Sequence, residues 1–289
     1  MLEQYSKAIQ ETAKELRVID DAFFKLVAEK EDVCQEILRT LLDMPNLVVV
    51  NVTAQSLVQS FHREIYLDAL CKLEDGTLCN IEMQKGESED DIRRTRFHAA
   101  AITSKFTPKG TDFSNLPKVT ILYITEYDSL NNNRAVTHVT RCAETDNGFM
   151  PVNDGEDIVF ANTCVDDGSN KAELLQLLLR RDSFYDEKFP AISNAVKYFK
   201  KTEGGNNQMA MTYKELMKVI KDDGIAEGFS EGIAEGIAKG ETKGRSEEIF
   251  SSVEEGDYSV ERGAEKLKLS VDEFIKKMEE AGYKVPALA

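Results

Sequence analysis

At 289 residues the chain is long enough for one large domain or two, and a 42% hydrophobic content suffices for a sizeable core. Its 36 Lys and Arg against 52 Asp and Glu leave a net charge of -16, which excludes broad electrostatic wrapping of nucleic acid and restricts any such contact to a local surface. No apolar stretch approaches the roughly 20 residues of a membrane span, and the opening MLEQYSKAIQ lacks the apolar centre of a signal peptide, so the expected setting is the cytoplasm without a membrane partner.

Between positions 20 and 42 the residues Phe23, Phe24, Val27, Ile37, Leu38, Leu41 and Leu42 recur at helical spacing, and Met44-Pro45 closes the run; one or two helices are predicted. Residues 47–52 form a β-branched run, and 64–73 and 77–84 alternate on either side of the turn Glu74-Asp75-Gly76, which predicts a strand followed by a hairpin. Residues 90–106 are predicted to be a helix, opened by Ser88, Glu89, Asp90 and Asp91 and closed by Pro108 and Gly110. The sequence KVTILYIT, 118–125, is a buried strand. Within 131–170, VTHVTRC and DIVFANTC suggest a second hairpin extending the sheet. Residues 174–201 are predicted helical and 203–208 a polar loop. The fold class is therefore α/β, a mixed β-sheet with helices packed against it.

The five cysteines, Cys34, Cys71, Cys79, Cys142 and Cys164, form an odd set without a C-x-x-C pair, which suits buried apolar positions better than a disulfide framework or a zinc knuckle. With three histidines and neither G-x-S-x-G nor H-E-x-x-H, triads and zinc hydrolases have little support. Carboxylate chemistry remains.

The first hairpin concentrates it. A two-residue Asp75-Gly76 loop would set Asp68 opposite Met83 and Ala69 opposite Glu82, mixing charged and apolar neighbours on both faces. A three-residue loop with Gly76 in the left-handed conformation pairs Leu67 with Met83, Ala69 with Ile81 and Cys71 with Cys79, making one face wholly apolar. The other face then carries Asp68 opposite Glu82 and Tyr66 opposite Gln84, with Asn80 beside them. Adjacent carboxylates raise each other's pKa unless a cation intervenes. Mg²⁺ or Mn²⁺ suits such a site, where it could activate water against a phosphodiester. Gln84 would orient that water or a phosphate oxygen, without the positive charge a lysine would bring. Polar residues on one face of a ribbon are ordinary; the solid apolar face opposite and the basic helix that follows lift these five above the ordinary.

At Leu67-Asp68-Ala69, the DG turn and then NIEMQ at 80–84, the chain resembles the PD-(D/E)XK nuclease superfamily, and within it the recombination-promoting nuclease and putative transposase family. The resemblance extends over DDAFFKLVAEKED, REIYLDALCKLEDGTLCNIEMQK, DDIRRTRFHAA, ILYITEYDSL, GFMPVNDGEDIVFAN and the glycine-repeat tail. It implies a restriction-endonuclease-like core in which Asp68 and Glu82 hold the metal and Gln84 stands where many members carry lysine. It also implies a further acid from the first helix, Asp21 or Glu36, and the two stay open here. The domains follow: an N-terminal helical arm (1–18), a nuclease-like domain (19–208, with core 19–130 and accessory hairpin and helices 131–208), a glycine-repeat helical arm (209–250) and a small helical tail (251–289).

Between Ile92 and Gly110 stand Arg93, Arg94, Arg96, Lys105 and Lys109 and no acid, the best candidate surface for DNA phosphates, against the alternative of a solvated helix face. His98 on this helix is taken as a packed or surface residue rather than a base. Glycines at 224, 228, 232, 236, 240 and 244 weaken an isolated helix by roughly 1 kcal/mol each. Close packing of two such helices would offset that, so the arm is either a route to a homo-oligomer or a flexible tether. Beyond it, Ser270 and Glu273 fit a capping box within two short helices, a packing module more than a DNA reader. The expected function is a metal-dependent DNA endonuclease, with links to recombination or transposition that rest on the resemblance. The alternatives are an inactive nuclease-like DNA-binding protein and an oligomeric scaffold; RNA in place of DNA also stays open.

Overall fold

A computed structural model describes residues 9–59, 64–86 and 90–286, with residues 59, 219–220 and 222–243 as backbone only. Residues 1–8 of the expected arm, the helix-opening Ser88 and Glu89, and the side chains of 222–243 in the glycine repeat lie outside the described residues. Two compact units emerge, Met1–Met217 and Lys218–Ala289.

In the first unit, residues 9–14 are helical and are followed by α1 (Asp21–Ala28) and α2 (Glu31–Leu41). These are two helices because Lys30 is extended, at φ -91° and ψ 107°, while its carbonyl accepts the first N–H groups of α2. Then come β1 (Val49–Gln59), β2 (Glu64–Leu73), β3 (Leu78–Gln84), α3 (Asp91–Phe106), β4 (Val119–Thr125), β5 (Val136–Val139), β6 (Cys142–Thr145), β7 (Gly148–Pro151), β8 (Glu156–Asn162), α4 (Asn170–Leu178) and α5 (Pro190–Lys201). Six strands form one mixed sheet in the order β1-β2-β3-β4-β8-β5. The outer pairs are antiparallel, while β3, β4 and β8 run parallel, β3 and β4 being joined through α3. Every residue of β4 is buried, as a central parallel strand covered on both faces must be. Side chains of α1, α2, α4 and α5 build the core on one face, and α3 closes the other. This is the α/β architecture that the sequence implies.

The second hairpin forms between β5 and β8 and extends the sheet. It carries an unforeseen two-stranded insertion, β6 paired with β7, whose four-residue strands are largely solvent-facing and lack an alternating pattern. Two expectations are corrected. The predicted helix 174–201 is broken between Leu178 and Pro190, because the residue before a proline is kept out of the helical region and Phe189 duly sits at φ -126°, ψ 63°. The predicted loop 203–208 is helical, as the start of α6 (Glu203–Glu254); Thr202 Oγ1 accepts the Gly205 N–H at 3.0 Å and so supplies the cap.

In the second unit, the end of α6 packs with α7 (Val260–Leu267) and α8 (Val271–Glu280) around Phe250, Val253, Phe274 and Met278. Glycine is required at position 263, where a Cβ would stand 2.6 Å from Phe274 and 2.8 Å from Val253. The Ser270–Glu273 capping box forms as predicted. No described helix is long and apolar enough to cross a membrane.

Candidate active site

Gly76 adopts φ +88°, and the hairpin pairs Ala69 with Ile81, Cys71 with Cys79 and Lys72 with Leu78, the register of the three-residue loop. Ala69, Cys71, Cys79, Ile81 and Met83 face the core beneath α1 and α2, as expected. The pairs Leu67–Met83, Asp68–Glu82 and Tyr66–Gln84 do not form in the ladder, and this is a correction. The ladder stops at Ala69–Ile81, and Gln55 on β1, at φ 51°, interrupts the bridges between Ala54–Ala69 and Ser56–Leu67. Beyond that kink, Leu67 and Ile65 join Leu70 in the cluster under α3. Asp68 therefore stands where β2 exchanges its faces and parts from β3. The Met83 N–H, with no β2 carbonyl to serve, donates to Asp68 Oδ2 at 2.9 Å, and Gln55 Nε2 lies 3.3 Å from Oδ1.

Glu82 projects beneath α3 and is 2% exposed. Its Oε1 accepts from Asn80 Nδ2 at 2.6 Å and from the Asp68 N–H at 3.4 Å, with His98 Nδ1 also 3.4 Å away. Burial first, and then the neighbouring Glu82 charge, push the Asp68 carboxyl well above the usual carboxylate range; the Met83 N–H opposes them. Asp21, in the first turn of α1, adds to that push, and burial raises its own carboxyl too, with Lys85 pulling it back and Asp20 and Glu82 adding to the rise. The three acids thus share one electrostatic field, although no three His, Cys, Asp or Glu side chains among the described residues gather tightly enough to enclose an ion by themselves.

The profile of the PD-(D/E)XK nuclease family transposases matches residues 18–162, half the chain, from the approach to α1 through β8. The chain belongs to this family. Neither a curated protein nor a solved structure matches it. The mixed sheet flanked by helices is accordingly the restriction-endonuclease-like fold, and the hairpin acids lie within the matched nuclease region.

Of the two first-helix acids offered by the sequence, the fold brings only Asp21 to the hairpin. Glu36 is committed elsewhere: its two carboxylate oxygens accept the N–H groups of Ala191, at 3.0 Å, and Ile192, at 2.9 Å, and so cap α5. Gln84 ends β3 half-buried, beside Thr125 of β4, and its side chain bonds to none of the described residues. Next to it, Lys85 Nζ donates to Asp20 Oδ1 at 3.1 Å. Arg17 also grips Asp20, at 3.1 Å, and reaches Glu126 just past β4. Burial would raise the Asp20 carboxyl, but the Arg17 and Lys85 bonds outweigh it and hold the carboxyl below its ordinary range. Sequence reasoning missed this network, since Arg17 and Glu126 are far apart in the chain. Lys85, directly after NIEMQ, was the one member with a local signal.

The basic helix divides. Arg93 and Arg96 face solvent without a bond to another described residue, while Arg94 is half-buried with Nη2 3.4 Å from Asp90. Lys105 is exposed, but its ammonium donates to the Leu57 carbonyl of β1 and lies over the Phe106 ring, so it is less free than Arg93 and Arg96. At the start of α3, the buried Asp91 accepts the hydroxyls of Tyr123, at 3.0 Å, and Tyr127, at 2.8 Å, which pins the helix to β4 and the segment after it.

Proposed function

We propose that the protein is a metal-dependent DNA endonuclease that hydrolyses phosphodiester bonds by attack of an activated water. The observation that carries this is a pair of adjacent carboxylates, buried Glu82 and half-buried Asp68, at the point where two strands part, with desolvation and the Glu82 charge driving Asp68 toward its neutral form and no described lysine or arginine paired to either. A divalent cation fits that deficit, and nucleases of this superfamily typically use one. Asp68 and Glu82 would hold Mg²⁺ or Mn²⁺, with Asp21 as the supporting acid. Such an ion would supply Lewis acidity and a water of lowered pKa. Gln84, whose amide bonds to none of the described residues, orients the water or a phosphate oxygen; Arg93 and Arg96, aided by Arg94, position the DNA backbone. The glycine-repeat arm is proposed to bring two copies together, which light scattering on the full chain would detect. The transposase designation of the family is the support for a role in recombination.

One observation favours a second reading, a DNA-binding protein that does not cleave. Gln84 is neutral, and the nearest lysine, Lys85, is engaged by Asp20. Plasmid nicking with Mg²⁺ or Mn²⁺, wild type beside Asp68→Asn and Glu82→Gln, separates the two readings. Cleavage by wild type alone supports the nuclease; metal-independent DNA binding without nicking supports the second reading.

A further inference from the structure

Among the described residues, two buried atoms beside Glu82 complete no hydrogen bond: Asn80 Oδ1 and His98 Nδ1. Asn80 is fully buried and His98 is 7% exposed, so neither is wet by bulk solvent. Both side chains nevertheless converge on one oxygen. Asn80 Nδ2 stands 2.6 Å and His98 Nδ1 3.4 Å from Glu82 Oε1, which the Asp68 N–H approaches as well. Among the described residues none bonds to Oε2. Oε1 is thus held by Asn80 and the Asp68 N–H, while His98 Nδ1 faces the same oxygen at 3.4 Å without completing a hydrogen bond.

We propose that His98 is a positioning residue of Glu82: with the cation bound, its Nδ1 closes onto Oε1 and fixes the rotation of the carboxylate, so that Oε2 is presented to the cation shared with Asp68. The inference rests on the metal reading above and deepens it. A lone pair on Nδ1 would oppose the carboxylate oxygen, so the tautomer that suits the contact carries the proton on Nδ1 and directs it at Oε1. The ring has little freedom to leave. It sits on the inward stripe of α3 with Thr95, Ala99 and Ile102, and the helix is anchored through Asp91 to Tyr123 and Tyr127. A histidine serving only as packing would gain nothing from aiming a ring nitrogen at a buried acid. Partners that orient a metal-binding side chain act in this way, and their loss commonly weakens metal binding 10- to 100-fold.

The test is calorimetric titration of the full chain with Mn²⁺ alone, for wild type, His98→Asn, His98→Gln and His98→Phe, each checked for its fold by metal-free circular dichroism. An asparagine amide nitrogen occupies the place of Nδ1, whereas a glutamine amide nitrogen occupies that of Nε2. His98→Asn is expected to bind within about threefold of wild type, and His98→Gln and His98→Phe about 10- to 100-fold more weakly. Should the Phe variant fail to fold, the Asn and Gln pair still decides. Equal affinity for Gln and wild type, or equal weakening by Asn and Gln, overturns the positioning role while leaving the metal reading intact. Absence of Mn²⁺ binding by folded wild type overturns both.

Discussion

Replacing Asp68 by asparagine should stabilise the metal-free protein while erasing its response to divalent ions. The sign follows from the direction of the shift: a carboxyl whose folded pKa is raised stays protonated in the native state after the unfolded chain has ionised. Stability contributed by that group is therefore lost as pH climbs from the unfolded value near 3.8 into the raised range, and the penalty persists at neutral pH. Ionising Asp68 beside Glu82 would set two like charges against each other, which at a typical separation of about 6 Å and an effective dielectric of about 20 costs at most about 3 kcal/mol. The charge-assisted bond from the Met83 N–H, at 2.9 Å, returns about 1.5 kcal/mol of this, and an asparagine oxygen keeps a neutral version of it. The net gain on substitution is about 2–3 kcal/mol, or about 4–12 °C in Tm for a domain of about 200 residues. Excess ion at about ten times its dissociation constant stabilises wild type by about 1.4 kcal/mol and leaves the variant unmoved. Differential scanning fluorimetry at pH 7.5, with and without Mg²⁺, reads both effects, and the metal-free gap should close as the pH is lowered toward 4. A variant less stable than wild type without metal, or one that shifts equally with Mg²⁺, would refute the account of this carboxylate pair.

Glu36→Ala removes the acceptors that cap α5 and should cost about 1–2 kcal/mol of stability with DNA cleavage unchanged; loss of cleavage in a folded variant would return Glu36 to the site. The double substitution Arg93→Ala with Arg96→Ala should lower the slope of log affinity for duplex DNA against log salt by about 2, and an unchanged slope in fluorescence anisotropy would place the phosphate contacts elsewhere. Gly263→Ala forces a methyl against Phe274 and Val253 and should cost the C-terminal unit about 1–3 kcal/mol, seen as an earlier helical melting step by circular dichroism with nicking preserved. Gln84→Lys supplies a cation at the end of β3 and should raise the nicking rate about tenfold or more; a slower variant would show that a neutral side chain is required there.

The parts of the site legible in the sequence are those with a local cause. The Glu74-Asp75-Gly76 turn and the period-two alternation define the hairpin register, because a slip by one residue would bury charge on both faces. That register is enough to bring Asp68 and Glu82 into neighbourhood. Choosing Asp21 over Glu36 required the tertiary fold, since both are acids on amphipathic helices and only the packing of α5 against α2 shows Glu36 occupied. Lys105 looked like a free cation for the same reason; its acceptor, the Leu57 carbonyl, is 48 residues away. Of the two placements open for His98, packed or on the surface, the structure shows the packed one, and what it packs on is a property of α3 lying over β3, which no spacing within the helix encodes.

The parting of β2 and β3 connects these observations. Had the ladder continued, the Met83 N–H would have bonded to a β2 carbonyl and the Asp68 N–H would have had no opening to Glu82. The kink at Gln55 instead leaves backbone donors unspent within a buried region, where an unmet donor is costly. Asp68 and Glu82 satisfy them with carboxylate oxygens, Met83 serving the first and Asp68 itself the second. One backbone irregularity thus brings a half-buried acid, Asp68, beside a buried one, Glu82, a state that repulsion alone would forbid. The sheet on either side, with β4 fully buried and α3 tied down through Asp91, supplies the stability that holds them there. On the proposed metal reading, such a centre holds an unfavourable pairing of acids that a bound cation would relieve, so the apo protein should gain from losing one acid and the holo protein should not.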